Sequence, residues 1–430
     1  MIMKKALFII SLRYPLINAI NIKMHELQDK PADIILDDTI RTDSHQLADN
    51  LRKAQIFDKV FFTNPSGYKG LKNFFQNFNI NNSFLKACHG SYKNLKLKYL
   101  YKTNPLAYLN NLVISGGKID LTLYDDVYIC SQTKISWICL NHLSNNNQIS
   151  NINLIEEGLS IYTKNDIIHQ YSSKYFNQKT IIHLYEPDLI GYNIQLKNIS
   201  FKKIKKISFN DTILINKVNN IFGYNFNYNF DDKIIFFEQV FEPMPDYYNN
   251  KFLRFILYNS YKKHLKEHYF FLDKINIINS LVSVLMNNKL INKFHIKLHP
   301  RTKKGITNNL LSYIIGDQSN SHTIPWEVYC MNQKFKNNLW ITILSSSVLN
   351  RVLCFEEINN IKFIFLYKCT EHFNIKLPAF EKFCINFSNK YNCSIIIPNN
   401  LVELEKQILQ ITSQTGGLTK GYKPMLPASI

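Results

Sequence analysis

Apolar residues in this chain gather into short runs, rich in Ile, Leu and Phe and bounded by residues suited to turns. They fall at residues 6–12, 33–36, 59–63, 126–130, 152–155 and 180–185, and each predicts a buried strand. Between several of them lie segments able to form helices, such as residues 44–56 and 133–142, and this alternation predicts βαβ units. A second series starts at residues 233–238, continues through a long helical candidate at 252–290, and meets strands ending at Leu298, Leu344, Leu366 and Ile397. The asparagine-rich stretch 219–229, with aromatics and Gly223, reads as a linker. The boundary expected from it gives a first domain at 1–228, a second at 229–412 and a loosely held tail at 413–430. Residues 68–111 are rich in Asn, Lys and aromatics without clear periodicity, so an acceptor-facing insertion and unresolved helices both fit them.

Length changes this picture little: 430 residues exceed what one core usually covers, so two domains are natural. Charge adds more. With 51 Lys and Arg against 32 Asp and Glu, the formal charge of +19 favours anionic partners such as phosphates, acidic glycans or anionic lipid headgroups. The basic segments at 202–206 and 261–266 are interrupted by apolar residues and read as solvated faces of ordinary elements. Eight scattered cysteines form no C-x-x-C pair that could join His264 and His268, or His295 and His299, in a zinc site, and a reducing compartment is expected. The N-terminus carries Lys4 and Lys5 before an apolar run, but Arg13 ends that run early and no small-residue cleavage site follows, which predicts a first strand. No other stretch is read as reaching the ~18 apolar residues of a spanning helix, so any membrane contact is expected to be peripheral.

Three polar motifs stand where apolar strands run out: Glu156-Glu157-Gly158, His299-Pro300-Arg301 and Ser345-Ser346-Ser347. In open parallel sheets, ligands sit in the crevice beyond the carboxyl ends of the strands, so three such ends are weighed together. Two adjacent, partly desolvated carboxylates push one pKa upward, toward the range a general base needs, and Gly158 permits a close approach or positive φ. The ordinary reading of the pair is a flank for a helix over 159–162. Pro300 fixes the turn after His299, while Arg301, Lys303 and Lys304 add positive charge, so His299 can donate a hydrogen bond to a leaving phosphate. The serines precede a probable helix at 348–355, where hydroxyls and backbone N–H groups favour an anion, although a simple N-cap uses the same residues.

Absences narrow the chemistry. The chain contains no P-loop, no G-x-G-x-x-G fingerprint and no D-x-D, the commonest carboxylate pair for a metal-bound nucleotide sugar. Asp37-Asp38, Asp125-Asp126 and Asp231-Asp232 read as turn or strand-end residues. A mechanism without metal or cofactor is favoured, with protein donors neutralising the phosphate.

The order of these motifs resembles bacterial sialyltransferases of glycosyltransferase family 52 and the related bacterial polysialyltransferases. Residues 154–162 are similar to the first motif of that group, residues 296–301 to the second, and Leu344-Ser345-Ser346-Ser347 to the serine motif. The resemblance implies an α/β fold of GT-B type, two Rossmann-like domains facing across a cleft, and inverting, metal-independent transfer from CMP-sialic acid. It implies Glu157 as the base that deprotonates the acceptor hydroxyl, with Glu156 in support, although the reverse assignment stays open. It also implies His299 on the CMP phosphate, Ser345 and Ser346 holding the same phosphate with Ser347, Gly158, Pro300 and Arg301 beside them, and Glu327, in Pro325-Trp326-Glu327, on the cytidine ribose.

The basic surplus suits an acidic donor, a glycan acceptor and the inner face of the cytoplasmic membrane, where capsule or lipooligosaccharide is assembled. A cytoplasmic enzyme with peripheral contact to anionic membrane is the expectation, and a homodimer is compatible with it. Use of CMP-Kdo or another activated sugar is an alternative. A non-catalytic glycan-binding or assembly protein is another, and it predicts that Glu157→Gln leaves function intact. Nucleic acid is not an expected partner, because no RRM, KH or HTH signature accompanies the charge.

Overall fold

The apolar runs become parallel strands in the computed structural model, which describes residues 4–37, 44–63, 104–131, 133–146, 149–163, 179–191, 198–226, 228–241, 258–299, 313–315, 324–345, 347–356, 361–371 and 377–414. The chain forms two compact units, Met1–Asn225 and Phe226–Ile430. The linker expected at 219–229 has structure of its own. Residues 219–222 close the helix Thr212–Phe222, which stops at Gly223 in the left-handed conformation (φ 66°) with its N–H bonded to the Asn219 carbonyl. Phe230, the residue that follows that stretch, is fully buried against Trp326 and Phe335 in the core of the second unit. The Asn-rich composition concealed the helix end.

The first unit holds eight strands: β1 (Lys5–Ile10), β2 (Ala32–Asp37), β3 (Lys59–Thr63), β4 (Val113–Ser115), β5 (Tyr124–Ile129), β6 (Asn151–Ile155), β7 (Lys179–Leu184) and β8 (Ile199–Lys203). Their order across the sheet is β4-β3-β2-β1-β5-β6-β7-β8, parallel throughout except where β4 runs against β3. β1 and β2 are apolar almost from end to end because both of their faces are covered, as central parallel strands require. The chain runs outward from β1 through β2 to β4, then lays β5 to β8 on the other side. The connections therefore diverge between β1 and β5, the place where an open α/β sheet leaves a crevice at its carboxyl ends.

The second unit repeats this logic with β9 (Ile234–Phe237), β10 (Phe294–Lys297), β11 (Asn338–Thr342), β12 (Ile361–Phe365) and β13 (Ser394–Ile396), ordered β10-β9-β11-β12-β13 and parallel throughout. Here β10 lies on one side of β9 and β11 on the other, so the crevice falls at the end of β9. The α/β class and the pair of Rossmann-like parallel sheets expected of a GT-B protein are both present.

The long helix Tyr258–Asn287 packs Ile277, Ile278, Leu281 and Leu285 into the second core. Contrary to the expectation that no stretch qualifies, its part His264–Asn287 is long and apolar enough on average to cross a membrane. The same part buries Asp273 and Lys274 inside its unit, where Lys274 forms an ion pair with Glu238 at 2.7 Å. Polar residues spread among apolar ones hid the average from a search for continuous runs.

Trp340 of β11 is fully buried among Phe237, Trp326, Phe335 and Phe363, with ring centroids 5.1 to 5.9 Å away. Trp340→Ala should destabilise the second unit by about 3–5 kcal/mol in denaturant unfolding followed by circular dichroism. A loss below about 1 kcal/mol would show that this cluster is not the core of that unit.

Candidate active site

β6 delivers Glu156, Glu157 and Gly158 to the carboxyl edge of the first sheet, and the first two residues meet opposite surroundings. The Glu156 carboxylate is completely buried. Its Oε1 accepts from the Tyr14 hydroxyl at 2.7 Å, and its Oε2 accepts from the Tyr162 hydroxyl at 2.5 Å and the Tyr185 backbone N–H at 3.0 Å. Its main chain is tied as well, with the carbonyl accepting from Asn18 Nδ2 at 2.9 Å and the N–H donating to His183 at 3.1 Å. Burial pushes this carboxyl upward, Tyr162, Tyr14 and the Tyr185 N–H oppose the push, and the Glu186 charge adds to it. With three donors on its two oxygens and no exposed surface, Glu156 is closed to a substrate hydroxyl as it stands.

Glu157 is half-buried and accepts a long hydrogen bond from Ser160 Oγ at 3.4 Å. Burial raises its pKa to about 7, against the weaker opposing effect of Ser160. It stands near the crevice between β1 and β5. The hydroxyls of Ser11 and Ser131, which follow those two strands, share a short hydrogen bond, and burial pushes the neighbouring Cys130 thiol up, against the Ser11 hydrogen bonds and with a smaller push from the Glu157 charge. Gly158 supplies the turn with φ 139°, a conformation side chains rarely tolerate. The flanking helix exists but has only four residues, Ser160–Thr163, and it carries Tyr162 onto Glu156.

In the second unit β9 is followed by Glu238 and Gln239, which reach to either side. Glu238 Oε2 accepts from the His299 backbone N–H at 3.3 Å, just after β10. Gln239 Oε1 accepts from the Leu344 N–H at 2.9 Å, just after β11. The next residue, Ser345, donates its N–H to Thr342 Oγ1 at 3.0 Å and shares a hydroxyl hydrogen bond of 2.8 Å with Ser347. Ser347 opens the helix Ser347–Cys354. His299 and the serine turn therefore flank the crevice at β9, one from each neighbouring strand.

Glu327 differs from its expected setting. It lies in the first turn of the helix Trp326–Asn332, is 4% exposed, and accepts from Asn350 Nδ2 at 2.6 Å. Burial raises its pKa, while Asn350 and the Lys297 charge oppose the rise. Pro300, Arg301 and Ser346 lie outside the described residues.

Sequence reasoning missed Tyr14, Asn18, Tyr185, Glu238 and Gln239. Tyr14, Asn18 and Asn21 stand four and three residues apart on the helix Arg13–His25, one polar stripe on an otherwise buried element. That stripe was the available signal. No sequence pattern linked it to Glu156.

The contrast between the two glutamates gives opposite predictions. Glu156→Gln puts an amide N–H against a donor and should cost about 2–3 kcal/mol in thermal or denaturant unfolding. Glu157 has a folded pKa above its unfolded one, so its ionisation destabilises the fold above pH 7 and has no effect below pH 4.5. Glu157→Gln, which mimics the protonated form, should stabilise by up to about 3 kcal/mol at pH 8 and by almost nothing at pH 4. Equal effects of the two variants at every pH would contradict this distinction.

No family model and no curated protein matches this chain. Among solved structures it is similar to the UDP-GlcNAc 2-epimerase of Methanocaldococcus jannaschii, in complex with UDP-GlcNAc and UDP, with a TM-score of 0.40 and 14% identity over 97% of this chain and 96% of that one. It is also similar to an alpha/beta-galactoside alpha-2,3-sialyltransferase from the luminous marine bacterium Photobacterium phosphoreum, with a TM-score of 0.42 and 12% identity over 91% of this chain and 98% of that one.

Proposed function

We propose that the chain is an inverting, metal-independent sialyltransferase that moves sialic acid from CMP-sialic acid to a hydroxyl of a bacterial surface glycan, lipooligosaccharide or capsule. The observation that carries the proposal is the half-buried Glu157, with a pKa of about 7 at the carboxyl edge of a parallel sheet, beside a glutamate whose oxygens are already hydrogen-bonded. A base with that pKa is ionised often enough near neutral pH to work, and basic enough to draw a proton from a hydroxyl under attack.

In this reading Glu157 takes the acceptor proton while the acceptor oxygen attacks the anomeric carbon from the face opposite CMP. The bond from that carbon to the phosphate oxygen breaks, and its electron pair leaves with CMP. His299 donates a hydrogen bond to the departing phosphate, and Ser345 and Ser347 hold the same group through hydroxyl and backbone donors. Glu156 fixes the strand end from which Glu157 acts. The surplus of positive charge, +19, fits an acidic donor and a station on the inner face of an anionic membrane.

The test is CMP release from CMP-sialic acid with EDTA present, with and without lactose-terminated or sialylated acceptors. Release should rise when acceptor is added and should persist in EDTA. Glu157→Gln and His299→Ala should each lower kcat by about 10²-fold or more. Since a protonated Glu157 cannot accept a proton, kcat/KM should climb as pH rises through about 7 and level off above it. Turnover of CMP-Kdo in place of CMP-sialic acid would overturn the donor assignment alone, whereas no release of CMP from any CMP-sugar would overturn the proposal.

A further inference from the structure

We infer that Glu238 and Gln239, at the end of β9, are positioning residues for nucleotide phosphate, one aligning His299 and the other the turn that begins at Leu344. The inference rests on the reading of His299 and the serine turn as holders of that phosphate, and it adds the pair of side chains that sets their geometry.

Three observations converge on it. Glu238 and Gln239 follow the strand where the connections of the second sheet diverge, so they lie between the two strands that deliver the expected phosphate ligands. Each spends its side chain on a backbone N–H of a neighbouring strand exit, His299 at 3.3 Å on one side and Leu344 at 2.9 Å on the other. Such bonds fix where a turn starts, and a misplacement of about 1 Å at a site of this kind can cost orders of magnitude in rate. Finally, the Glu238 side chain is fully buried and carries its own buried counter-ion, Lys274, at 2.7 Å from Oε1.

A buried ion pair is poor evidence of stability, because apolar residues of similar size often replace one without loss. This pair has a second task. Oε1 takes Lys274, which leaves Oε2 for the His299 N–H, and Lys274 also donates to the Gln239 carbonyl at 3.4 Å. One lysine therefore braces both residues. Beside them the Glu238 N–H donates to the Lys297 carbonyl at 3.0 Å, and Lys297 Nζ donates to the Ile324 carbonyl at 3.1 Å, so the exit of β10 is held from two directions.

The decisive comparison is binding of CMP against cytidine, measured by calorimetry on the full chain. Only CMP carries the phosphate. The first variant combines Glu238→Leu with Lys274→Met, which removes the acceptor for His299 while replacing the ion pair by apolar side chains that the fold should tolerate. The second, Gln239→Leu, removes the acceptor for Leu344 without touching the ion pair. Each should weaken CMP binding by about tenfold or more, the effect of losing a hydrogen bond that serves a charged ligand, and leave cytidine within about twofold.

Equal weakening of CMP and cytidine would mean that these residues only support the fold, and would overturn the inference. If His299→Ala abolishes the preference of the wild-type chain for CMP over cytidine while both variants keep it, the inference fails and the reading of His299 stands. A wild-type chain that binds CMP no better than cytidine would overturn both.

Discussion

Burial of the Glu156 carboxylate is the constraint on which the first unit's site depends. A carboxylate without water must find its hydrogen bonds in the protein, and this one draws them from Tyr14, Tyr162 and the main chain of Tyr185. Those donors come from the first helix, the short helix after the turn and the end of β7, so satisfying one side chain fixes three pieces of chain around the end of β6. Glu157 inherits a rigid backbone. It gains a raised pKa from partial burial, while the work of holding the strand end falls to its neighbour.

The second unit solves a related problem with a different chemistry. Its crevice needs two strand exits held apart on either side of β9, and it uses the consecutive side chains just beyond β9, Glu238 and Gln239, to do so. Lys274 makes the buried charge of Glu238 affordable, and the aromatic cluster around Trp340 keeps the strands beneath from shifting. In both units a buried, fully bonded glutamate stands at a strand end beside the residue read as reactive. The chemistry of each unit is carried by one group and its geometry by another.

Most of the fold was legible because the strands are apolar and short, and the turns between them are polar. Central strands such as β1 and β9 declared themselves by composition alone. β8 did not, since Phe201, Lys202 and Lys203 of this edge strand are exposed and read as an ordinary basic segment. The helix Arg13–His25 escaped notice for the opposite reason. It is buried on nearly every side, and its polar residues Asn18, Asn21 and Lys23 are buried too, so no solvent-facing side marks it as a surface helix. The site motifs were visible as residues at strand ends. The division of labour within them was not, because Tyr14 lies 142 residues from Glu156 in sequence and Tyr185 lies 29 away. Glu327 shows the same limit, as its partner Asn350 could not be anticipated from Pro325-Trp326-Glu327.

The account turns on two adjacent glutamates having different surroundings and different jobs, and a direct titration of the Glu157 carboxyl tests that most closely. Carbon NMR of glutamate-labelled protein, with the Glu157 signal identified by its loss in Glu157→Gln, would follow this group alone. The account predicts a midpoint near 7. A midpoint near the ordinary glutamate value of about 4.3 would contradict it, because a carboxylate so easily ionised would be a poor base and burial would not be setting its chemistry.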